Sequence, residues 1–254
     1  MRDTLLVGGW KAPSLVDVRG RVSFTLWLCG CNLRCPFCHN WKLAEMLPGT
    51  CRWAKLDELV EALSGAARLV DVLHVTGGEP LLQPGRLRGL LEASHKLGLG
   101  NSINTNCTLP ENMEQLLEEK LVDHVATDLK TPFHLLTGLS KSQAARLWGR
   151  YLDCLRLLAR HGVEVELRIP VPRDIPGYTR LLEESLRQPT EALKGTNWYI
   201  VVNPLQGPPA VTPRSPDWCA EHCNPPRTLL EEVAAIAKRY NRKTYTINTP
   251  TAGP

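Results

Sequence analysis

Cys31, Cys35 and Cys38 lie within eight positions, in the spacing C-x3-C-x2-C, and no other stretch constrains the chain as much. They follow directly on an apolar run, Val22-Ser23-Phe24-Thr25-Leu26-Trp27-Leu28. Three thiols this close have few uses. A zinc site pairs two C-x2-C knuckles across a spacer, and no second such pair occurs. Disulfides would leave an odd thiol, and the N-terminal residues lack the apolar core and cleavage site of a secretory leader. Iron–sulfur clusters are normally held by four thiolates. A loop that offers three can bind a cubane and leave one iron open, as a catalytic zinc keeps one position for its substrate. The one local candidate for a fourth ligand is His39. The loop reads as an iron–sulfur site.

The 254 residues suffice to bury a sizeable core, and one domain is expected. A hydrophobic share of 43% and a charged share of 22% fit a folded globular chain and exclude a disordered one. No apolar run reaches the ~18 residues that would span a bilayer. A cytoplasmic location is expected, where thiols stay reduced and a cluster can be loaded. The net charge of +4 neither demands nor excludes a nucleic-acid partner.

Short apolar runs alternate with helical patterns from residue 22 onward. Strands are expected over 22–28, 70–76, 101–105, 122–128, 163–169 and 198–203. Helices are expected near 56–63, 87–96, 113–119, 141–160 and 178–186. Pro84-Gly85 and Leu109-Pro110-Glu111 mark helix starts, and His161-Gly162 a helix end. Alternation of this kind implies parallel strands joined by right-handed crossovers. Six units are too few for the closed eight-stranded barrel, so an open, partial (β/α)6 barrel is the expected α/β fold. Residues 1–21 are expected to pack on the barrel, with the core at 22–203. Residues 204–227 are rich in proline and expected to lack regular structure. A helix over 228–240 and a short strand near 243–247 close the chain.

Gly30-Cys31-Asn32-Leu33-Arg34-Cys35-Pro36-Phe37-Cys38-His39-Asn40, with Thr76-Gly77-Gly78-Glu79-Pro80 after it, resembles the radical S-adenosylmethionine (SAM) superfamily. Within it the chain resembles the glycyl-radical-enzyme activases, such as those of pyruvate formate-lyase and anaerobic ribonucleoside-triphosphate reductase. The resemblance runs from about residue 14 to 202. It implies a 4Fe-4S cluster on Cys31, Cys35 and Cys38, with the open iron chelating the amino and carboxylate groups of SAM. One electron then cleaves SAM, and the resulting 5′-deoxyadenosyl radical takes a hydrogen atom from the substrate.

The resemblance also places other residues. Phe37 would face the adenine or merely pack beneath the loop, and His39 would lend backbone contact. Gly77 and Gly78, lacking Cβ atoms, would let backbone approach a ligand closely. Glu79 would orient the SAM ammonium directly or through a hydrogen-bond network. Asp128 and Lys130 would hold the amino and carboxylate ends of SAM, unless they form only a strand-end salt bridge. Asn104, Arg168 and Asn203 stand at further strand ends, where ligands gather in parallel α/β folds. Arg168 reads equally as a SAM contact or a structural ion pair. Asn104 and Ala126 stand where the pyruvate formate-lyase activase has Asp and Met at a monovalent-cation site, so no such cation is expected. Asn203 stands where that activase has His.

Cys154 sits among leucines and reads as core. Cys219 and Cys223 could form a disulfide, supply half a metal site or stay free. No insertion of repeated Cys motifs is present, so a second cluster is not expected. The leading functional expectation is an activase that installs a glycyl radical on a partner, anaerobic ribonucleotide reductase, with flavodoxin or ferredoxin as reductant. Alternatives are a radical SAM enzyme modifying tRNA or a small metabolite, and an iron–sulfur electron carrier or scaffold.

Overall fold

The computed structural model describes residues 4–247. Six parallel strands form its centre: β2 (Arg21–Leu28), β4 (Val72–Gly77), β5 (Gly100–Asn104), β6 (His124–Asp128), β7 (Glu164–Val171) and β8 (Trp198–Pro204). These are the six expected strands. The sheet extends beyond them at both ends, to nine strands in the order β3-β1-β2-β4-β5-β6-β7-β8-β9. The N-terminal residues do more than pack on the barrel. They form β1 (Thr4–Val18), which pairs antiparallel with β2 and with the short strand β3 (Arg52–Lys55). At the far end β9 (Thr244–Thr246) adds in parallel to β8.

The crossover helices are α2 (Leu56–Ala66), α3 (Pro84–Lys96), α4 (Pro110–Glu118), α6 (Lys141–Arg160), α7 (Tyr178–Ala192) and α9 (Arg227–Tyr240), with short turns α1 (Trp41–Ala44) and α5 (Phe133–Thr137) between. Local chemistry sets their ends. Ser140 and Gln143 form a reciprocal capping box at the start of α6. Past its other end Gly162 takes a left-handed φ of +69°. Tyr151, Leu155 and Leu158 lie at i, i+4 and i+7 and are buried together against the sheet.

The 204–227 segment departs from expectation, because it holds α8 (Pro216–His222). Ser215 caps it by accepting from Trp218 N, Pro216 occupies a first-turn position and Asp217 adds negative charge there. Prolines dense enough to forbid a long helix are compatible with a two-turn one that starts on them.

Side-chain alternation along the strands decides which face becomes a site. Leu73, Val75, Ile103, Val125, Val165, Leu167, Ile200 and Val202 join the leucines of the helices in one continuous core. The alternate positions face the concave side, where Val72, Ala126 and Val201 are interspersed with polar residues: His74, Thr76, Ser102, Asn104, His124, Asp128, Glu166, Arg168, Tyr199 and Asn203. No helix among the described residues is long and apolar enough to cross a membrane.

Candidate active site

The cluster loop leaves β2 and is pinned on three sides. Gly78 N donates to Leu28 O at 2.8 Å and Glu79 N to Gly30 O at 2.7 Å. Arg34 N donates to Thr137 O at 3.1 Å, and Gly30 N to Leu43 O at 3.0 Å. Gly77 and Gly78 make this approach possible: a Cβ on Gly77 would run into the Leu28 backbone, and one on Gly78 into the Gly30 carbonyl. The glycines were expected to admit a ligand, and they also admit the cluster loop's own backbone.

A cavity of about 530 Å³ opens over the carboxyl ends of the strands. Cys31, Cys35, Phe37, Cys38, His39, Gly77, Gly78, Asn104, Asp128, Lys130, Arg168 and Asn203 all line it. Of the expected site residues, Glu79 alone lies outside. It is buried behind the wall, accepting from Leu81 N, Thr105 Oγ1 and Asn106 N at 2.7–2.9 Å. Its carboxylate is joined to the cavity wall through Thr105 and Asn106. Asn106, held by Glu79 through its backbone, lines the cavity and donates from its side chain to Asn32 of the cluster loop at 2.8 Å.

Burial governs the thiols. It pushes Cys31 up to about 11, helped by the Glu79 charge, and Cys35 up to about 12 against the opposing pull of Lys130. Cys38 is raised by the same cause, with Arg214 opposing. Metal binding must therefore displace protons from all three. Among the described residues no three His, Cys, Asp or Glu side chains converge tightly enough to hold one metal ion. His39 directs Nε2 to Gln206 O at 3.2 Å.

Lys130 is almost wholly buried and lies 2.9 Å from Asp128. Burial alone would raise the Asp128 carboxyl, but the charges of Lys130 and Arg168 more than reverse this and hold it low. For Lys130, burial is likewise outweighed by Asp128, and its pKa is raised. Arg168 pairs with Glu166 and donates to Asp17 O at 3.0 Å while bordering the cavity. Asn104 donates to Thr76 Oγ1 at 3.1 Å.

Beneath the cavity lies a polar layer that sequence reasoning missed. His74 Nδ1 meets Ser102 Oγ at 2.9 Å, Ser102 Oγ meets His124 Nδ1 at 2.8 Å, and His124 Nε2 meets the Tyr199 hydroxyl at 3.2 Å. Tyr199 donates to Glu166 at 2.6 Å, and Glu166 carries Arg168. Desolvation pushes His74 down to about 3 and His124 down to about 4, so both are neutral at pH 7. The signal was present in the sequence as polar residues two apart on strands that should otherwise be apolar throughout.

Segment 204–223 straps the cluster loop from outside. Arg214 donates to Cys35 O at 3.0 Å, Ser215 N to Pro36 O at 2.9 Å, and Trp41 Nε1 to Thr212 O at 3.2 Å. Phe37 packs with Trp218, Leu205 and the Cys219–Cys223 disulfide while also bordering the cavity. Of the three readings for that cysteine pair, the disulfide is the one observed. A second disulfide, Cys29–Cys51, was not foreseen. Cys154 is buried as expected.

The fold and the triple-thiol cavity define the class. A family model, the Radical SAM superfamily, matches residues 26–178, and the chain belongs to that superfamily. Membership implies a 4Fe-4S cluster and SAM, and three thiols bordering one cavity fit that requirement. In sequence the chain is 29% identical over 199 residues to a putative glycyl-radical enzyme activating enzyme of Methanocaldococcus jannaschii, across 77% of this chain and 78% of the relative. It is also 29% identical over 232 residues to the 7-carboxy-7-deazaguanine synthase of Methanothermobacter thermautotrophicus, across 87% and 85%. A domain of pyruvate-formate lyase-activating enzyme from Bacteroides vulgatus superposes with a TM-score of 0.51 at 16% identity, covering 69% of this chain and 98% of that one. That likeness is one of fold.

Proposed function

We propose that the chain activates a glycyl-radical enzyme, anaerobic ribonucleotide reductase, by removing a hydrogen atom from a backbone glycine in the cytoplasm of an anaerobic cell. The relation along 199 residues to a putative activating enzyme carries this choice. When bound, the cluster and SAM supply one electron and a carbon-centred radical. The chain's own residues bind, orient and exclude water. Cys31, Cys35 and Cys38 would hold the cluster. Asp128 would accept from the SAM ammonium, and Lys130 would donate to its carboxylate. Glu79 acts from behind, by fixing the backbone of Asn106 and the hydroxyl of Thr105. Phe37 and Asn203 border the space left for the nucleoside.

A second reading is supported by the relation to 7-carboxy-7-deazaguanine synthase and by the cations Lys130 and Arg168 beside the cavity, which suit a small anionic substrate. One experiment separates the two. Cluster-loaded, reduced protein is mixed anaerobically with SAM and the reductase, and electron paramagnetic resonance is recorded. A glycyl doublet is expected. Its absence, together with formation of 7-carboxy-7-deazaguanine in a parallel mixture that holds the synthase's own substrate in place of the reductase, would replace the first reading with the second.

A further inference from the structure

Cations approach the cysteine loop from two sides. Lys130 borders the cavity, where SAM would bind, whereas Arg214 does not border it and arrives on the 204–223 strap. The Arg214 side chain is only 14% exposed. Its Nη1 donates to Cys35 O at 3.0 Å and its Nε to Glu45 Oε1 at 2.9 Å. The guanidinium is thus the member of this ion pair that bonds the loop, and it is held against the main chain of a cluster cysteine. Its charge also reaches a second one. Arg214 exerts the largest electrostatic pull on the Cys38 thiol, ahead of Lys130, against the effect of burial.

Docking of the strap does not depend on this charge alone. Ser215 N donates to Pro36 O at 2.9 Å, and Trp41 Nε1 donates to Thr212 O at 3.2 Å. A cation kept this far from water is costly to dehydrate, and a neutral donor would serve to pin a carbonyl. The positive charge itself therefore calls for a use.

A cluster gains one negative charge when it is reduced, and in a loop this buried that charge is poorly screened. Charges and hydrogen bonds around a cluster set its reduction potential. We propose that Arg214 is a positioning residue for the cluster bound at Cys31, Cys35 and Cys38: it holds a positive charge beside the loop that favours the reduced state, and Glu45 moderates that charge. Arg214 itself exchanges neither an electron nor a proton. The proposal rests on the cluster that superfamily membership implies and not on the identity of the substrate.

The test is a potentiometric titration of cluster-loaded full-length protein without SAM, with the reduced cluster counted by electron paramagnetic resonance. Arg214→Gln is expected to lower the ratio of reduced to oxidised cluster at a fixed potential about tenfold, which is 59 mV for a one-electron couple. Glu45→Gln is expected to raise that ratio about threefold, as removal of a partly exposed counter-charge allows. Arg214→Lys keeps the charge but not the forked geometry, and should stay within about threefold of wild type. A purely structural latch gives another pattern: both Gln variants break the same ion pair, so both would shift the potential in one direction. Trp41→Phe loosens the strap at Thr212 without altering charge and should leave the potential where it is. The proposal is overturned if Glu45→Gln fails to raise the ratio, if Arg214→Gln fails to lower it, or if Arg214→Lys or Trp41→Phe lowers it as far as Arg214→Gln does. Should Arg214→Gln not hold a cluster, the rise in Glu45→Gln and the retained potential of Arg214→Lys decide the matter.

Discussion

The Lys130 ammonium lies 2.9 Å from the Asp128 carboxylate, at the end of the fourth parallel strand and at the edge of the cavity. The two residues are separated by Leu129, whose side chain is buried in the core on the opposite side. The ammonium is almost wholly enclosed and the carboxylate partly open to the cavity. A pair so placed is costly to break, because the surviving charge loses its partner without gaining full access to water.

Lys130→Met is therefore expected to lower stability by about 2 kcal/mol at neutral pH, less than for a fully buried pair because Asp128 retains some solvent. The pH dependence follows from the shifts. Asp128 is held below its ordinary value, so its contribution is present above pH ~4 and fades as pH falls through the depressed pKa. Lys130 is raised, so its contribution is present below pH ~10.4 and is lost only above that. Denaturant titrations of wild type and variant should differ across pH 5–9 and converge below pH 4. SAM binding, measured by calorimetry on the loaded protein, should weaken at least tenfold.

Gly78→Ala tests the docking of the cluster loop. Its new methyl would meet the Gly30 carbonyl, which is backbone and cannot swing aside as a side chain would. The loop must shift, so iron and sulfide content after reconstitution should fall to less than half that of wild type. Gly149→Ala, on the exposed side of α6 with open space around it, is the control. It should load normally and gain about 0.8 kcal/mol in stability, the usual helix preference of Ala over Gly.

The six parallel strands and the six crossover helices were legible because their apolar periodicity and end signals agree. The cavity wall was legible for a topological reason: once the strands are parallel and consecutive, residues at their carboxyl ends must meet. Three things were not legible. Residues 4–18 carry bulges and an uneven alternation, with register shifts at three places, so β1 does not read as one strand. The outward pull on Glu79 comes from Thr105 and Asn106, a strand away, and no spacing in Gly77-Gly78-Glu79-Pro80 reveals it. The Cys29–Cys51 pairing depends on the path of α1, a single turn whose apolar pattern is too short to see.

That disulfide closes a 22-residue span around the cluster loop. In the chain-entropy account a loop of this length contributes about 3 kcal/mol. Cys51→Ser should lower stability by that order. It should also free Cys29, two residues before the first cluster thiol, to compete for iron. Mass spectrometry of the alkylated apoprotein should find two fewer unreactive cysteines than in wild type, and reconstitution should give a more heterogeneous absorbance.

The layer beneath the cavity makes the clearest prediction for acid. His74 and His124 are held neutral by burial, at about 3 and about 4, whereas in the unfolded chain both titrate near 6.5. Between pH ~6.5 and ~4 the unfolded state therefore binds more protons than the folded one, and stability falls as pH falls. Each imidazole contributes up to about 1.4 kcal/mol per pH unit in that window. The loss begins well above the carboxylate range, which separates it from the effect at Asp128. Tyr199→Phe tests the connection to Arg168. The variant removes the hydroxyl that donates to Glu166 at 2.6 Å and leaves the Glu166 oxygen buried without that partner. Stability should drop by about 1–3 kcal/mol, the cost of an unsatisfied buried polar group. If the layer also orients Arg168 toward the cavity, SAM or substrate affinity should fall along with stability. An unchanged affinity would confine the relay to holding the barrel together.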